Sequence, residues 1–256
     1  MIDSRAIVDP SAEIDETVEI GPFSIIGPKV KIGKGSWIGP HVVIKGPCTI
    51  GEDNKIYQFA SVAEDPQDKK YADEETTLEI GHRNIIRENA TLHRGTIQEN
   101  GKTIIGDDNL LMAYTHVAHD VVMGNNIILA NAASLAGHVT VGDYAILGGF
   151  TIVHQFCQIG THCFASMGSS ISRDVPPYVM VGGQPTAPHG LNMEGLKRRG
   201  FPDDCIKDIR KAYKLLYKSK LKFTDAIIAV EELSKNRPNL VPFVQFLKSS
   251  SRSVIR

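Results

Sequence analysis

Residues 19–51 read EIGPFSIIGPKVKIGKGSWIGPHVVIKGPCTIG, and Ile20, Ile26, Ile32, Ile38, Ile44 and Ile50 fall at every sixth position. The step extends outward, back through Ile14, Val8 and Ile2 and on through Ile56 to Val62. A second run goes by sixes from Ile105 to Ile171, with Ile80, Ile86 and Leu92 forming a short set between the two. Gly usually follows the aliphatic, as at Gly21, Gly27, Gly33 and Gly39, and four residues past it the side chain is small or β-branched (Ser24, Val30, Ser36, Val42, Cys48). A period of 3.6 would scatter these positions around a helix, and a lone strand of period 2 would not single out every sixth residue. A hexapeptide repeat predicts a parallel β-helix, in which each short strand ends in a turn. Three hexads then make a triangular coil of 18 residues, with the aliphatic inward on each face and the fourth-position residue inward near a corner. Successive coils pair at about 4.8 Å, the spacing of neighbouring strands. Gly is expected where the chain turns through φ > 0.

The period breaks twice, near 63–79 and at 93–104. Both stretches (AEDPQDKKYADEETT, then HRGTIQENGKTI) are too polar for a core and are predicted to loop outward. After Ile171 the pattern gives way at DVPPYV, and the composition turns helical. Pro202, Asp203 and Asp204 read as a helix start, followed by Ile206, Ile209, Tyr213 and Leu216 on one face. Thr224 is expected to cap a second helix that stops before Pro238, and Val241, Val244 and Leu247 mark a third apolar segment. The expected organisation is a mainly β chain: a parallel β-helix over 1–185, then a small α-helical domain over 190–256.

At 42% hydrophobic residues and with no apolar run of 18, the chain has no candidate transmembrane segment. Ile2 is already in register, which leaves no room for a signal peptide. The four Cys lack CxxC spacing, and Cys48, Cys157 and Cys163 take the small inward position; they read as structural thiols of a cytoplasmic protein. Residues 190–256 hold 15 Lys/Arg against 7 Asp/Glu, which offers a docking surface for an acidic partner or phosphates, although solvated helix faces would look the same. No basic stripe is interleaved with aromatics, which argues against a nucleic-acid partner.

A period of 18 also places side chains. Residues 116–120 (HVAHD), 134–138 (SLAGH) and 152–156 (IVHQF) stack on one edge of three neighbouring coils. Four of the nine His (His116, His119, His138 and His154) are thereby expected to converge with Asp120 and Gln155, His119 lying over Gly137 and Asp120 over His138. Such an edge could hold a metal on three imidazoles. It could instead work as a general base oriented by a carboxylate, or be no more than a stacked polar ladder. No Ser or Cys has a clear place beside His119, which disfavours covalent catalysis.

The block HVAHD, LAGHV and VHQFC, with IYQFAS (56–61), QDKKY (67–71), LHRGT (92–96), DNLLM (108–112) and EGLKRRGF (194–201), resembles the UDP-N-acetylglucosamine O-acyltransferase family nearly end to end. The resemblance implies the left-handed coil of known hexapeptide prisms, a hand that the period does not fix. It implies transfer of a 3-hydroxyacyl group from acyl carrier protein to the 3-hydroxyl of UDP-N-acetylglucosamine, the first step of lipid A biosynthesis. It assigns His119 as general base, Asp120 as its support and the Gly137 N–H as oxyanion donor. Asp68, Lys70, His116, His138, His154, Gln155, Asn192, Glu194 and Arg199 become substrate contacts, and Arg198 a carrier-protein contact. Met167 stands where the family meets the end of the acyl chain, which implies a medium-length donor. The family works as a homotrimer without a metal or bound cofactor, the acyl group arriving on the carrier's phosphopantetheine. Competing readings are the related N-acyltransferase of the same pathway, which carries an extra N-terminal domain; a β-helix carbonic anhydrase with His116 and His119 among its zinc ligands; and a non-enzymatic scaffold.

Overall fold

The computed structural model describes all 256 residues, Met1–Arg256. Three sheets of nine, eight and ten strands, parallel except for one antiparallel pair at the edge of the third, form the faces of a prism, most strands being two residues long. The chain is the expected mainly β, left-handed β-helix with a helical C-terminal part. Partners in neighbouring coils lie 18 apart, as in Ile7 with Ile25 and Ile25 with Val43. Ile20, Ile26, Ile32, Ile38, Ile44, Ile50 and Ile56 are all buried, and so are Ser24, Val30, Ser36, Val42 and Cys48 at the fourth position. One apolar column per face thus fills the interior, at about 25 cal/mol per Å² of apolar surface buried.

The reason for the glycines differs from the expectation. None of Gly21, Gly27, Gly33 and Gly39 is among the positive-φ residues; the left-handed conformation falls two residues later, on Phe23 (φ 60°), Lys29 (56°) and His41 (55°), with Gly35 the one glycine in that role on these coils. The repeat needs Gly after the aliphatic because the next coil passes so close. A Cβ on Gly27 would lie 1.9 Å from the Lys45 carbonyl oxygen, and one on Gly33 2.8 Å from the Gly51 carbonyl carbon. Close backbone approach, not torsional freedom, selects it.

The inward corner also accepts asparagine. Asn54, Asn84 and Asn109 are buried there. The side-chain oxygen of Asn54 accepts from the Asn84 N–H (2.9 Å), that of Asn84 from Asn109 (2.9 Å), and that of Asn109 from Ile127 (2.7 Å). Each amide satisfies a buried donor of the following coil, which offsets the cost of burying a polar group.

The two breaks leave the prism over shorter spans than the period suggests: Ser61–Glu64, Thr77–Ile80, Thr91–His93 and Lys102–Ile105 are paired strands, so only 65–76 and 94–101 lie outside them. Ser61 pairs with Thr91 and Thr91 with His116, so the coil resumes in register after each excursion. Beyond Ile171 the strands continue further than the period suggests: Val179–Gly182 pairs antiparallel with Ala187–Leu191. Four helices follow, α1 (Met193–Arg198), α2 (Asp203–Tyr217), α3 (Phe223–Ser234) and α4 (Val241–Ser249). Helix α1 is absent from the periodicity reading, and its start is capped by the Asn192 side chain accepting from Gly195 N–H at 3.1 Å. Thr224 is not the cap of α3: the N-cap residue is Lys222, with no side-chain hydrogen bond. The helices pack on the last coils. Asp174, fully buried, accepts from the Ser250 hydroxyl at 2.6 Å and from Gln158 N–H at 2.8 Å, which ties the end of the chain to the prism. No helix is long and apolar enough to cross a membrane.

Candidate active site

The strand pairings His116 with Ser134 and Ser134 with Ile152 put the three stretches on adjacent coils, because no excursion falls between them. Position 119 follows the inward Val117 by two residues. On other coils that place is held by Pro22, Pro28 and Pro40, so its N–H has no part in the coil ladder and the side chain stands clear of the core. His119 lies flat against the next coil at Gly137: a Cβ there would sit 2.5 Å from its Cε1 and 2.7 Å from its Nε2. Glycine at 137 is therefore the seat of the imidazole. The Gly137 N–H has no acceptor within the chain and remains free beside the ring.

Asp120 is next, at the left-handed turn position (φ 59°), a conformation that Asp tolerates better than most residues. Its Oδ2 accepts from His119 Nδ1 at 2.8 Å. Its carboxylate also accepts from Thr96, the backbone N–H reaching Oδ1 at 2.9 Å and the hydroxyl reaching Oδ2 at 2.6 Å. Burial opposes the charge on Asp120, but these hydrogen bonds outweigh it and hold the carboxyl below its ordinary range. An ionised Asp120 fixes the proton of His119 on Nδ1 and leaves the Nε2 lone pair free.

His138 occupies the same turn position one coil on (φ 61°). It stacks on Phe156 at 4.4 Å and meets His119 edge-on at 5.1 Å. Its Nδ1 is buried without a hydrogen-bond partner, 3.8 Å from Asp120 Oδ2 and 3.6 Å from Glu99 Oε1. His116 accepts or donates at Nδ1 with the Thr91 hydroxyl at 2.8 Å. Burial pushes its pKa down to about 4, with the neighbouring His93 and His119 adding to the effect, so it is neutral near pH 7. A cleft of about 300 Å³ opens beside the edge, lined among others by Glu99, Asp120, His138, Phe156, Gln158 and Ser251.

Convergence holds for His116, His119 and His138 with Asp120, but His154 does not join them. It is exposed, with Nδ1 at 3.1 Å from the Gln155 carbonyl oxygen, and touches none of the other imidazoles. The fourth member is His93, whose ring lies 5.3 Å from that of His116 and whose Nδ1 bonds the Asp65 carbonyl oxygen at 2.7 Å. It sits where the second excursion leaves the prism, so the 18-residue register could not place it. The three-imidazole metal arrangement with His116 is not formed. A cation would find His119, Asp120 and His138, whose ligand atoms lie within 4.8 Å of one another.

The other candidates are dispersed. Asp68 and Lys70 lie on the first excursion, joined by the Lys70 N–H to the Asp68 carboxylate at 3.0 Å, with no bond to the His119 group. Buried Arg94 anchors that excursion, donating to the carbonyls of Gly46 and Ala63 (2.8 Å each), the Tyr71 hydroxyl (2.9 Å) and Asp65. Gln155 offers its carbonyl to Arg252 at 2.9 Å, so the tail of the chain borders the site. Asn192, besides capping α1, donates to the His162 carbonyl at 3.0 Å, and Glu194 and Arg198 are exposed on α1. Arg199 just beyond it lays its guanidinium 3.9 Å over the Tyr144 ring. Met167 is 77% exposed on the single chain. The free Cys48, Cys157 and Cys163 are buried, and burial raises all three thiols, which suits packing rather than reactivity.

The hexapeptide-repeat prism is of the class found in bacterial hexapeptide transferases: residues 29–64 match the model described as bacterial transferase hexapeptide (six repeats). Residues 174–255 match the model described as UDP N-acetylglucosamine O-acyltransferase, domain 2. The acyl-[acyl-carrier-protein]–UDP-N-acetylglucosamine O-acyltransferase of Halorhodospira halophila is 53% identical over 255 residues, covering 100% of this chain and 99% of its own. That of Stutzerimonas stutzeri is 49% identical over 256 residues, with the same coverage. The crystal structure of the Francisella novicida UDP-N-acetylglucosamine acyltransferase superposes with a TM-score of 0.99 at 42% identity, covering 100% of this chain and 94% of that one. The chain belongs to the acyl-[acyl-carrier-protein]–UDP-N-acetylglucosamine O-acyltransferase family.

Proposed function

We propose that this protein moves a 3-hydroxyacyl group from acyl carrier protein to the 3-hydroxyl of UDP-N-acetylglucosamine, opening lipid A biosynthesis in the cytoplasm, with His119 as general base and no covalent intermediate. The observation that carries the reading is the His119 Nδ1–Asp120 Oδ2 hydrogen bond of 2.8 Å, which leaves Nε2 as the proton acceptor. In this reaction Nε2 takes the sugar hydroxyl proton as its oxygen bonds to the thioester carbonyl carbon. The carbonyl oxygen becomes an oxyanion, for which the free Gly137 N–H is a ready donor; one such donor is worth about 3 kcal/mol. Collapse breaks the carbon–sulfur bond, and the thiol leaves with the proton held by His119. A thiol of pKa about 8.5 departs without strong acid assistance. General-base catalysis of this kind supplies about 10²–10⁴-fold.

Around this centre Asp68 and Lys70 serve the sugar and acyl portions, and His116, His138, His154 and Gln155 position them. Asn192, Glu194 and Arg199 face the nucleotide end, where a guanidinium suits a pyrophosphate. Arg198 and the basic helices receive the acidic carrier. In a homotrimer, exposed Met167 would face a cleft between prisms and shorten it, each excluded methylene weighing about 0.8 kcal/mol. The test is a product assay with labelled UDP-N-acetylglucosamine and hydroxyacyl carrier proteins of graded length, run with and without chelator. Acylated product that survives chelation, with medium-length donors preferred and Met167→Gly extending the range, supports the reading. Absence of product, or loss of activity on chelation, overturns it.

A further inference from the structure

The second excursion is more than an insertion, because it and the strand that follows it grip Asp120. Thr96, in the excursion, gives that carboxylate two of its hydrogen bonds, and Thr103, on the following strand Lys102–Ile105, accepts from the Asp120 N–H at 2.9 Å. All three residues are buried. The grip matters because two imidazoles compete for one oxygen. His119 Nδ1 is 2.8 Å from Asp120 Oδ2, and His138 Nδ1, which makes no hydrogen bond, is 3.8 Å from the same atom and 3.6 Å from Glu99 Oε1. A small rotation of the carboxylate would satisfy His138 at the expense of His119. The Thr96 hydroxyl and N–H hold one oxygen each, so the carboxylate plane is fixed.

We propose that Thr96 is a positioning residue that commits the Asp120 carboxylate to His119 rather than to His138. The proposal rests on His119 being the base. Without the hydroxyl, Thr96 holds only Oδ1, Oδ2 is left to the imidazoles alone, and the His138 Nδ1–H competes with His119 for it. His119 then loses the bond that fixes its proton on Nδ1, and a fraction of molecules presents N–H instead of a lone pair to the sugar hydroxyl. Substrate binding is untouched, since Thr96 is buried behind the carboxylate.

The test compares Thr96→Val with Thr96→Ser, using steady-state acyl transfer and proton NMR of protein carrying ¹⁵N-labelled histidine. The His119 Nδ1 proton is assigned by its loss in His119→Ala. Thr96→Val is expected to lower kcat by about 10–100-fold, the size of one hydrogen bond to a charged group, with little change in KM. The downfield His119 Nδ1 proton should weaken or shift in Thr96→Val, and Thr96→Ser should restore both rate and resonance. An unchanged resonance in Thr96→Val, a defect carried in KM, or a serine variant as impaired as valine would overturn the proposal. Should Thr96→Val not fold, Thr96→Ala carries the same comparison. If His119→Ala itself retains turnover, the base assignment fails, and the NMR result still decides whether Thr96 directs the carboxylate.

Discussion

Two columns of the prism are built alike and differ in chemistry. On one edge the left-handed turn position is held by Asp120, His138 and Phe156; on another it is held by Tyr144, His162 and Tyr178. Both columns stack an imidazole on an aromatic ring, His138 on Phe156 at 4.4 Å and His162 on Tyr144 at 4.8 Å. The surrounding charge separates them. The first has a buried carboxylate beside two imidazoles, and the second has the Arg199 guanidinium over its outer ring. Burial, then Arg199, pushes His162 down to about 4 against the pull of Asp143, so it is a neutral packing group near pH 7. Stacking at equal repeat positions gives architecture; an ionised partner at hydrogen-bond distance is what the proposed base requires.

The strongest way to break this contrast is Asp120→Asn, which keeps the stack and removes the charge. It should cut kcat by about 10²–10⁴-fold, because the wrong tautomer of His119 is then favoured, while the thermal midpoint moves little. Parallel rate and melting measurements check it. Next in size is Arg94→Met, which releases the first excursion near the carboxylate column. Loss of its buried hydrogen bonds should cost about 2–3 kcal/mol of stability, and KM for the sugar nucleotide should rise more than kcat falls. Chemical denaturation and steady-state kinetics read the two effects.

The second column makes an acid-side prediction. A His whose folded pKa lies near 4 binds fewer protons than the unfolded chain between about pH 6.5 and 4, so stability falls as pH drops through that window and is unaffected above it. The loss attributable to His162 is about 3 kcal/mol when fully developed. His162→Phe, which preserves the stack, should make this acid limb shallower in melts from pH 7 to 4, the remainder belonging to His116, and leave kcat near the parent value. Arg199→Met should be the mildest change in stability, about 0.5–1 kcal/mol for an exposed cation–π contact, while weakening the nucleotide in binding titrations.

The prism was legible residue by residue because a period of six ties each side chain to one position in space. The same register carried Gly137 under His119 and His138 beside Asp120 correctly, since nothing interrupts the coils between 116 and 156. Where the chain leaves the period, that reasoning has no purchase. Thr96 and His93 reach the site through the geometry of an excursion, and His154 falls outside it because its coil turns the side chain to solvent. Asn54, Asn84 and Asn109 are not singled out by the sequence reading, and each satisfies an inward N–H that an aliphatic residue could not. Asn192 combines a cap with a bridge to the prism, a pairing of short- and long-range bonds that no spacing reveals.

The most direct measurement is the single-turnover rate of acyl transfer for His119→Ala and His162→Ala, each at saturating donor and acceptor and each verified as folded. A loss of at least about 10²-fold for His119→Ala, with His162→Ala close to the parent rate, is the predicted result. Comparable rates for the two variants would contradict the claim that the carboxylate-backed edge carries the chemistry.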